Sequence, residues 1–431
     1  MLNQIQKMHN RELIINVLFC LIPLAFIGGN LFINLNIVLL ILTTSLFYHN
    51  ELRSFKLNIL DKIITVFFIY IFFTLGVNYF ESLSEENSLN GEIIKKSFLY
   101  LRYYLLYIIL RALFLYKKIN LNWFYISASF FVLFVCTDII FQFFFLKNIF
   151  GDVAETTRRL SGVFGDELVA GGYIQRFSLF AIFLPIVLNV KKNIYKYLIV
   201  TFTFFILVTG IILSGNKMPL VLFLLSIFLI SYLFLTKKKF LIALVLIIVA
   251  LTLFHKKNIH FQTNTQKFFT TTSALVEVFF NKSLSVDVAS FKKRTPYVAE
   301  FYGAYITWEK NIILGGGLRS FRTNCPNCGT HPHNYYLEIL ADLGLVGFLI
   351  IGTFLLITFY RVYKIKNIFK LNSIFDLYAS TFFFIIFIEL FPIRSSGSFF
   401  STNNATFIFL SLATVVSLVE KLQDKKLNKK T

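Results

Sequence analysis

The sequence predicts an all-α polytopic membrane protein, and two observations carry that prediction: its composition and the spacing of its apolar residues. Hydrophobic residues make up 57% of the 431 residues and charged residues only 15%, and the mean hydropathy is +0.71. A soluble domain has roughly 45–50% apolar and about 25% charged residues. Apolar stretches of bilayer length, about 17–25 residues, recur along the chain. The chain is therefore expected to cross a membrane many times.

About twelve transmembrane helices are expected, with one large periplasmic loop that contains short helices. Residues 1–254 form a transmembrane bundle of about nine helices, near 12–27, 31–48, 62–79, 96–115, 122–146, 173–190, 195–213, 217–235 and 239–254. Residues 255–333 form the periplasmic loop. Residues 334–431 hold three further helices, near 334–360, 374–391 and 403–419, and a basic cytoplasmic tail. The first apolar segment lacks a small-residue cleavage site, so we expect it to be retained as a helix.

The distribution of Lys and Arg predicts the orientation of the helices. On one side of the membrane the short connections are basic, with Arg53, Lys117, Lys191, Lys237 and Arg361 among their residues. The positive-inside rule makes this the cytoplasmic side and places both termini there. Most of the net charge of +20 is thus explained by topology. Nucleic-acid binding is not expected, because the chain has no basic soluble domain to carry it.

A smaller group of cations breaks that rule by lying on the predicted outer connections. Its members are Arg158, Arg159, Lys217, Arg294, Arg319, Arg322 and Arg394. An outward cation at a membrane boundary calls for an anionic partner, and the planar fork of Arg suits a phosphate or diphosphate. Each also has a structural explanation, as part of an ion pair, a snorkelling side chain or a solvated basic run. The Gly315-Gly-Gly turn before Arg319 either cradles an anion with its N–H groups or is only a tight turn.

Part of the long loop has the periodicity of a helix. Residues 296–311 place Tyr297, Phe301, Tyr305 and Trp308 at helical spacing. This pattern predicts an amphipathic helix that lies on the membrane or caps a cavity. The aromatic stripe either stacks on sugar rings or packs on the bundle, and packing is the favoured interpretation.

Two cysteines, Cys325 and Cys328, stand just before His331 and His333. Four nitrogen and sulfur ligands so close together could hold zinc, and a Cys-x-x-Cys pair could be redox-active. In an oxidising outer compartment the pair could instead close a structural disulfide that braces the histidines. We favour the disulfide and expect no metal, since the short spacing between the histidines opposes a relaxed tetrahedral site.

The two histidines are the candidates for acid–base chemistry, because imidazole exchanges protons near neutral pH. His331 is held extended by the proline that follows it, and His333 stands where Asn334 can cap the next helix. We expect His333 to be the catalytic base, with His331, Asn334 and Glu338 in supporting roles. Glu338, or Asp342 one turn later, could orient an imidazole, and Glu338 could instead pair with an Arg.

These residues resemble a known family. His333-Asn-Tyr-Tyr-Leu-Glu-Ile-Leu-Ala-Asp-Leu-Gly-Leu-Val-Gly347 resembles the signature of the bacterial O-antigen ligase and O-antigen polymerase superfamily. Asn311-Ile-Ile-Leu-Gly-Gly-Gly-Leu-Arg-Ser-Phe321 is similar to that family's glycine turn, and Arg159-Leu-Ser-Gly-Val-Phe-Gly-Asp166 and Ser214-Gly-Asn-Lys217 resemble its earlier outer-face motifs. Lys217 stands where the family usually has Arg. The resemblance covers most of the chain, including the large loop before the histidine helix.

The resemblance implies a membrane glycosyltransferase with its active site at the periplasmic face of the bacterial inner membrane. Its donor would be an undecaprenyl-diphosphate-linked glycan, and its acceptor a sugar hydroxyl of lipid A–core or another glycan. His333 would take the proton of that hydroxyl. The outward cations would bind the diphosphate, namely Arg159, Lys217, Arg294, Arg319, Arg322 and Arg394. No cofactor or metal is implied.

Two sister reactions fit this chemistry. A ligase passes the finished glycan to lipid A–core, whereas a polymerase passes it to the sugar of another lipid-linked repeat unit. The large loop before the histidine helix favours the ligase. A transporter or flippase could bind the lipid diphosphate through the same cations, but transporters tend to carry internal repeats and mid-membrane charges, and the sequence shows neither clearly.

Overall fold

The apolar segments of the sequence form helices in the structure, a computed structural model. It describes residues 10–84, 91–154, 158–234, 296–325, 328–365, 368–371, 373–392, 394 and 397–427, with scattered positions between 236 and 273. Within these residues the secondary structure is helical, apart from one isolated β-bridge between Lys147 and Val153. The predicted all-α polytopic membrane fold is confirmed.

The helices follow one another along the chain on either side of the long loop. Before the long loop they are α1 (Asn10–Cys20), α2 (Ile22–Ile27), α3 (Gly29–Phe47), α4 (His49–Ser54), α5 (Ile59–Ser84), α6 (Gly91–Leu115), α7 (Leu121–Phe145), α8 (Ala170–Val187), α9 (Asn193–Leu213) and α10 (Lys217–Phe234). After it come α11 (Pro296–Lys310), α12 (Ser320–Asn324), α13 (Tyr335–Lys364), α14 (Ile374–Glu389) and α15 (Thr402–Leu427). Short 3₁₀ turns cover Gly162–Phe164 and Ile368–Lys370.

Ten helical stretches of the described residues are long and apolar enough to cross a membrane. α1 and α2 together form one of them, and α3, α5 to α10, α13 and α15 are the others. α14 coincides with a predicted crossing but has only 16 residues. The predicted crossing at 239–254 lies largely outside the described residues. The count of about twelve therefore stays a prediction.

α15 and α8 form the centre of the bundle, and α3 and α10 lie at its periphery. The spanning stretch of α15 is 89% buried and that of α8 78%, against 28% for α3 and α10. Because lipid tails are as apolar as Leu, close packing holds such helices together. Aromatic rings supply much of it: Phe409 of α15 contacts Phe68 of α5 and Tyr100 of α6. This packing fixes the distances between the bundle helices whose ends surround the histidines.

A buried ion pair fixes the end of the bundle that is predicted to face the cytoplasm. Arg111 of α6 is 1% exposed, with Nε 2.8 Å from Asp61 Oδ1 of α5 and Nη2 2.5 Å from Glu420 Oε2 of α15. The hydroxyl of Tyr107 also donates to Asp61, at 2.9 Å. Removing one partner of a buried pair costs about 3–5 kcal/mol. The ion pairs of Arg111 therefore join α5, α6 and α15 at the end of the bundle opposite the histidines.

Candidate functional site

The site is built around a break in α13. Gly344 has φ +61° and ψ −167°, so the helix stops and restarts there. The glycine turn before α12 fills the gap: the Gly317 N–H donates to the Asp342 carbonyl at 2.8 Å. A Cβ on Gly315 would lie 2.4 Å from the Gly344 nitrogen, so this approach requires glycine. Backbone groups freed inside a membrane protein must find partners, and the turn supplies them.

The carboxylate of Asp342 fastens α12 to α13. It accepts hydrogen bonds from the Arg319 N–H at 2.8 Å, the Ser320 hydroxyl at 2.9 Å and the Phe321 N–H at 3.2 Å. Arg319 has φ +72°, an uncommon conformation for a residue with a side chain. These bonds hold it there, and they fix the backbone that carries Arg319 and Arg322.

A polar cavity of about 190 Å³ lies beside this turn. Three cations line it: Lys96 of α6, and Arg319 and Arg322 at α12. Two carboxylates line it as well, those of Glu338 and Asp342. Both carboxylates bind backbone groups, because Glu338 accepts a hydrogen bond from a loop N–H at 2.5 Å and Asp342 caps α12. The cations are therefore the groups of the cavity best placed to bind an anion.

Lys96 is a cation that the sequence-based expectations did not include. Among the described residues its ammonium has no hydrogen-bond or ion-pair partner. Arg319, Arg322 and Arg102 lie close enough to repel it, and the Glu338 carboxylate lies close enough to attract it. The preceding Lys95 is exposed. A half-buried cation whose charged neighbours are mostly cations, at the end of a membrane span, calls for an anionic ligand.

The histidine segment leads into α13 beside the cavity. Asn334 caps this helix, and its Oδ1 accepts hydrogen bonds from the Tyr336 N–H at 3.0 Å and the Leu337 N–H at 3.2 Å. The predicted cap is therefore present. His333 precedes it with φ +52°, a conformation that costs on the order of 1–3 kcal/mol and persists only where the surroundings enforce it.

The two imidazole rings contact each other, with centroids 4.3 Å apart. His331 Nδ1 lies 2.9 Å from the Thr330 hydroxyl, and its buried Nε2 has no hydrogen-bond partner among the described residues. Burial, and then the charges of His333 and Arg322, lower the pKa of His331 to about 4. His331 is therefore neutral at pH 7.

α11 covers the histidine segment with a face of small residues. Ala299, Gly303, Ala304 and Thr307 are buried, whereas Tyr305 of the predicted aromatic stripe is 46% exposed. The helix therefore meets the rest of the protein through its small residues, which lets other backbone segments approach it closely.

The Cys325–Cys328 disulfide lies against this face. A Cβ on Gly303 would be 2.2 Å from the Cys328 sulfur, so the disulfide occupies the space that any larger residue would need. Within the described part of the chain, no three His, Cys, Asp or Glu side chains are grouped to hold a metal ion.

Glu300 of α11 brings a carboxylate to the histidines. Its Oε2 lies 3.2 Å from His333 Nε2, and the two side chains are 13% and 30% exposed. A Cβ on Gly329 would lie 2.3 Å from Glu300 Oε1, so the loop between the disulfide and His331 also packs on this carboxylate. Glu338, which was expected to support the imidazole, binds the N–H of Phe399.

Arg159 and Lys217 lie together in a second group of cations. Arg158 and Arg159 are both within electrostatic range of Lys217. A Cβ on Gly215 would lie 2.5 Å from the Arg158 carbonyl, so the two outer-face motifs pack directly on each other. The Nε of Arg159 is buried without a hydrogen-bond partner in the described structure.

Arg394 belongs to a third group, which is organised by Glu389 at the end of α14. Glu389 is fully buried, and its carboxylate lies 2.5 Å from Arg394 Nη1 and 2.6 Å from Arg176 Nη2. The Tyr335 hydroxyl donates to it at 2.8 Å. This network joins α8, α13 and α14. The remaining predicted cation, Arg294, lies outside the described residues.

The bundle and its polar end define the class of the protein: a multi-pass membrane protein with imidazoles and cations gathered at one end. Residues 202–352 match the family model described as O-Antigen ligase. The resemblance to the O-antigen ligase and polymerase superfamily is thereby confirmed, and the match supports a membrane glycosyltransferase-like function of ligase or polymerase type in general. No curated protein matches the chain.

Two residues of the site were missed on the sequence, and each left a signal. Lys96 stands at the outer end of a predicted span, where the positive-inside rule disfavours Lys. Glu300 shares one helical face with Gly303, Ala304 and Thr307, at spacings of three, four and seven residues. A lone carboxylate on a face of small residues marks a position where another segment approaches the helix.

Proposed function

We propose that the protein is an O-antigen ligase-like glycosyltransferase that moves a glycan from undecaprenyl diphosphate to a sugar hydroxyl of lipid A–core. The observation that most supports this is the histidine pair beside a cavity lined by three cations. Transfer from a lipid diphosphate needs a base for the acceptor and positive charge for the leaving group. We place this end of the bundle in the periplasm and both termini in the cytoplasm.

The donor diphosphate is proposed to bind in the cavity, between Lys96, Arg319 and Arg322. The Nε of Arg322 donates to the Thr330 carbonyl at 2.8 Å, which ties its guanidinium to the histidine segment. An anion held there is therefore close to the imidazoles.

Other outward cations are proposed as further donor contacts. Arg159 and Lys217 form one such group, and Arg294 is proposed from the loop. A contact by Arg394 would require its ion pair with Glu389 to open or to share the guanidinium.

In the proposed reaction His333 is the general base. It takes the proton of the acceptor hydroxyl as that oxygen forms a bond to the anomeric carbon of the donor sugar. The bond between this carbon and the diphosphate oxygen breaks, and its electron pair leaves with undecaprenyl diphosphate. The cavity cations stabilise the charge that develops there. One displacement inverts the anomeric configuration, and the imidazolium then releases its proton to water.

A transfer assay with purified protein tests this proposal. One reaction contains the undecaprenyl-diphosphate glycan and lipid A–core, the other contains the donor alone, and both contain EDTA. We expect product on lipid A–core. A ladder of longer lipid-linked glycans in the donor-only reaction would identify a polymerase instead. Donor binding without product in either reaction would contradict glycosyl transfer and favour transport.

A further inference from the structure

α11 contacts the histidine segment through the carboxylate of Glu300. Glu300 Oε2 is 3.2 Å from His333 Nε2. The titratable and charged groups around the imidazole include Glu300, His331 of its own segment and, next to His331, Arg322 of α12. Glu300 thus brings a negative charge directly to the proposed base.

We propose that Glu300 is a positioning residue for His333, and that α11 is the element that prepares the base for reaction. This inference rests on the proposed function. A carboxylate beside one ring nitrogen selects the tautomer in which that nitrogen carries the proton. In this proposal the carboxylate favours the tautomer with the proton on Nε2, and Nδ1 accepts the proton of the acceptor hydroxyl.

Packing keeps Glu300 in this place. The carboxylate is 13% exposed, and Gly329 leaves room for it where a Cβ would come within 2.3 Å. The disulfide holds the start of the histidine loop against Gly303, one turn further along α11. His333 has a positive φ and directly precedes Asn334, the cap of α13. The imidazole is therefore held between a capped helix start and a fixed carboxylate.

The negative charge also balances the positive charge that forms during reaction. When His333 takes a proton it becomes an imidazolium beside a histidine that is neutral at pH 7 and close to Arg322. A carboxylate at 3.2 Å stabilises that cation, whereas it gives little to the neutral ring. Glu300 itself takes no proton and contacts no substrate in this proposal.

The test compares full-length wild-type protein with Glu300→Gln, Glu300→Asp and Glu309→Gln. Glu309 lies on the same helix and is exposed, so its Gln variant is a matched control. We expect Glu300→Gln to lower kcat about tenfold or more while leaving KM for the donor unchanged, and Glu300→Asp to recover part of the loss. Without the carboxylate the imidazolium is less stable, so the acid limb of the pH–rate profile should move to lower pH. A Glu300→Gln profile identical to wild type would overturn the inference.

A second readout does not depend on transfer activity. Full-length protein labelled with ¹³Cε1-histidine is titrated by NMR in lipid nanodiscs, with the His333 resonance assigned from His333→Gln. In Glu300→Gln the His333 ring should lose its proton at lower pH than in wild type, and in Glu309→Gln it should not. An unmoved titration would refute the contact. A shifted titration in a protein without transferase activity would instead refute the proposed function and keep the pair.

Discussion

Two groups of cations at the same end of the bundle differ in what neutralises them. Lys96 and Arg322 line an open cavity whose carboxylates bind backbone groups. Arg176 and Arg394 lie on either side of the fully buried Glu389, which accepts from both. Both groups lie at the same end of the bundle, but in the part of the chain that the structure describes only the second group forms ion pairs with a carboxylate.

The difference teaches how to separate binding cations from structural ones. A buried guanidinium that already has a carboxylate is costly to remove, because its partner is then left unpaired in a low dielectric. A cation without such a partner is stabilised by whatever anion enters. We therefore expect substitutions in the cavity to change ligand binding and transfer, and substitutions around Glu389 to change the stability of the fold.

The largest expected effect is a loss of glycosyl transfer when His333, which lies beside the cavity, is replaced. His333→Gln should lower the rate about 10²- to 10⁴-fold, the usual range for loss of a general base, while donor affinity and unfolding temperature stay near wild type. The rate is measured with saturating donor, and donor binding by titration in nanodiscs. A fully active His333→Gln protein would remove the base assignment. His331→Gln is the matched control and should retain more of the activity.

Glu389→Gln should change the stability of the fold, because it alters the group of cations that Glu389 neutralises. It leaves Arg176 and Arg394 facing a neutral amide, and we expect a loss of about 3–5 kcal/mol in the free energy of unfolding. Unfolding by denaturant in mild detergent measures this. The exposed Glu309→Gln should stay within about 0.5 kcal/mol of wild type. A stable Glu389→Gln protein with weakened donor binding would show that this group belongs to the ligand site.

Lys96→Ala should weaken donor binding and leave the stability of the fold unchanged. Loss of one charged contact to the diphosphate is expected to raise the donor Kd about tenfold, with the unfolding midpoint unchanged. Arg322→Ala should behave similarly, and the exposed Lys95→Ala is the control. Equal donor affinity in Lys96→Ala and Lys95→Ala would place the diphosphate elsewhere, with Arg159 and Lys217 as the next group to test.

His331 is expected to make the stability of the fold depend on pH. Its pKa in the folded protein is lowered to about 4, chiefly by burial, from an ordinary value near 6.5. Between these values the unfolded chain binds a proton that the folded protein does not. The contribution of His331 is therefore present above pH 6.5 and is lost as pH falls towards 4. His331→Gln should flatten this decline in thermal unfolding, and an unchanged pH profile would contradict the burial of the ring.

Much of this protein could be predicted from its sequence, because the features concerned are local. Long apolar runs form helices in lipid, since each helix satisfies its own backbone. The Asn334 cap follows from residue type and its place before a helix. The histidine segment and the outward arginines were expected near one another, because topology places both at the same end of the bundle.

Contacts between distant segments were decided only by the tertiary structure. The approach of Glu300 to His333 depends on small residues of α11 and on Gly329. The ion pair between Arg394 and Glu389 depends on where α14 ends. No short stretch of sequence contains either pair. Composition and periodicity thus determined that the chain spans a membrane and carries imidazoles and cations at one face. Packing decided which carboxylate lies next to each cation or imidazole, because in a low dielectric the energy of a charge depends mainly on its nearest partner.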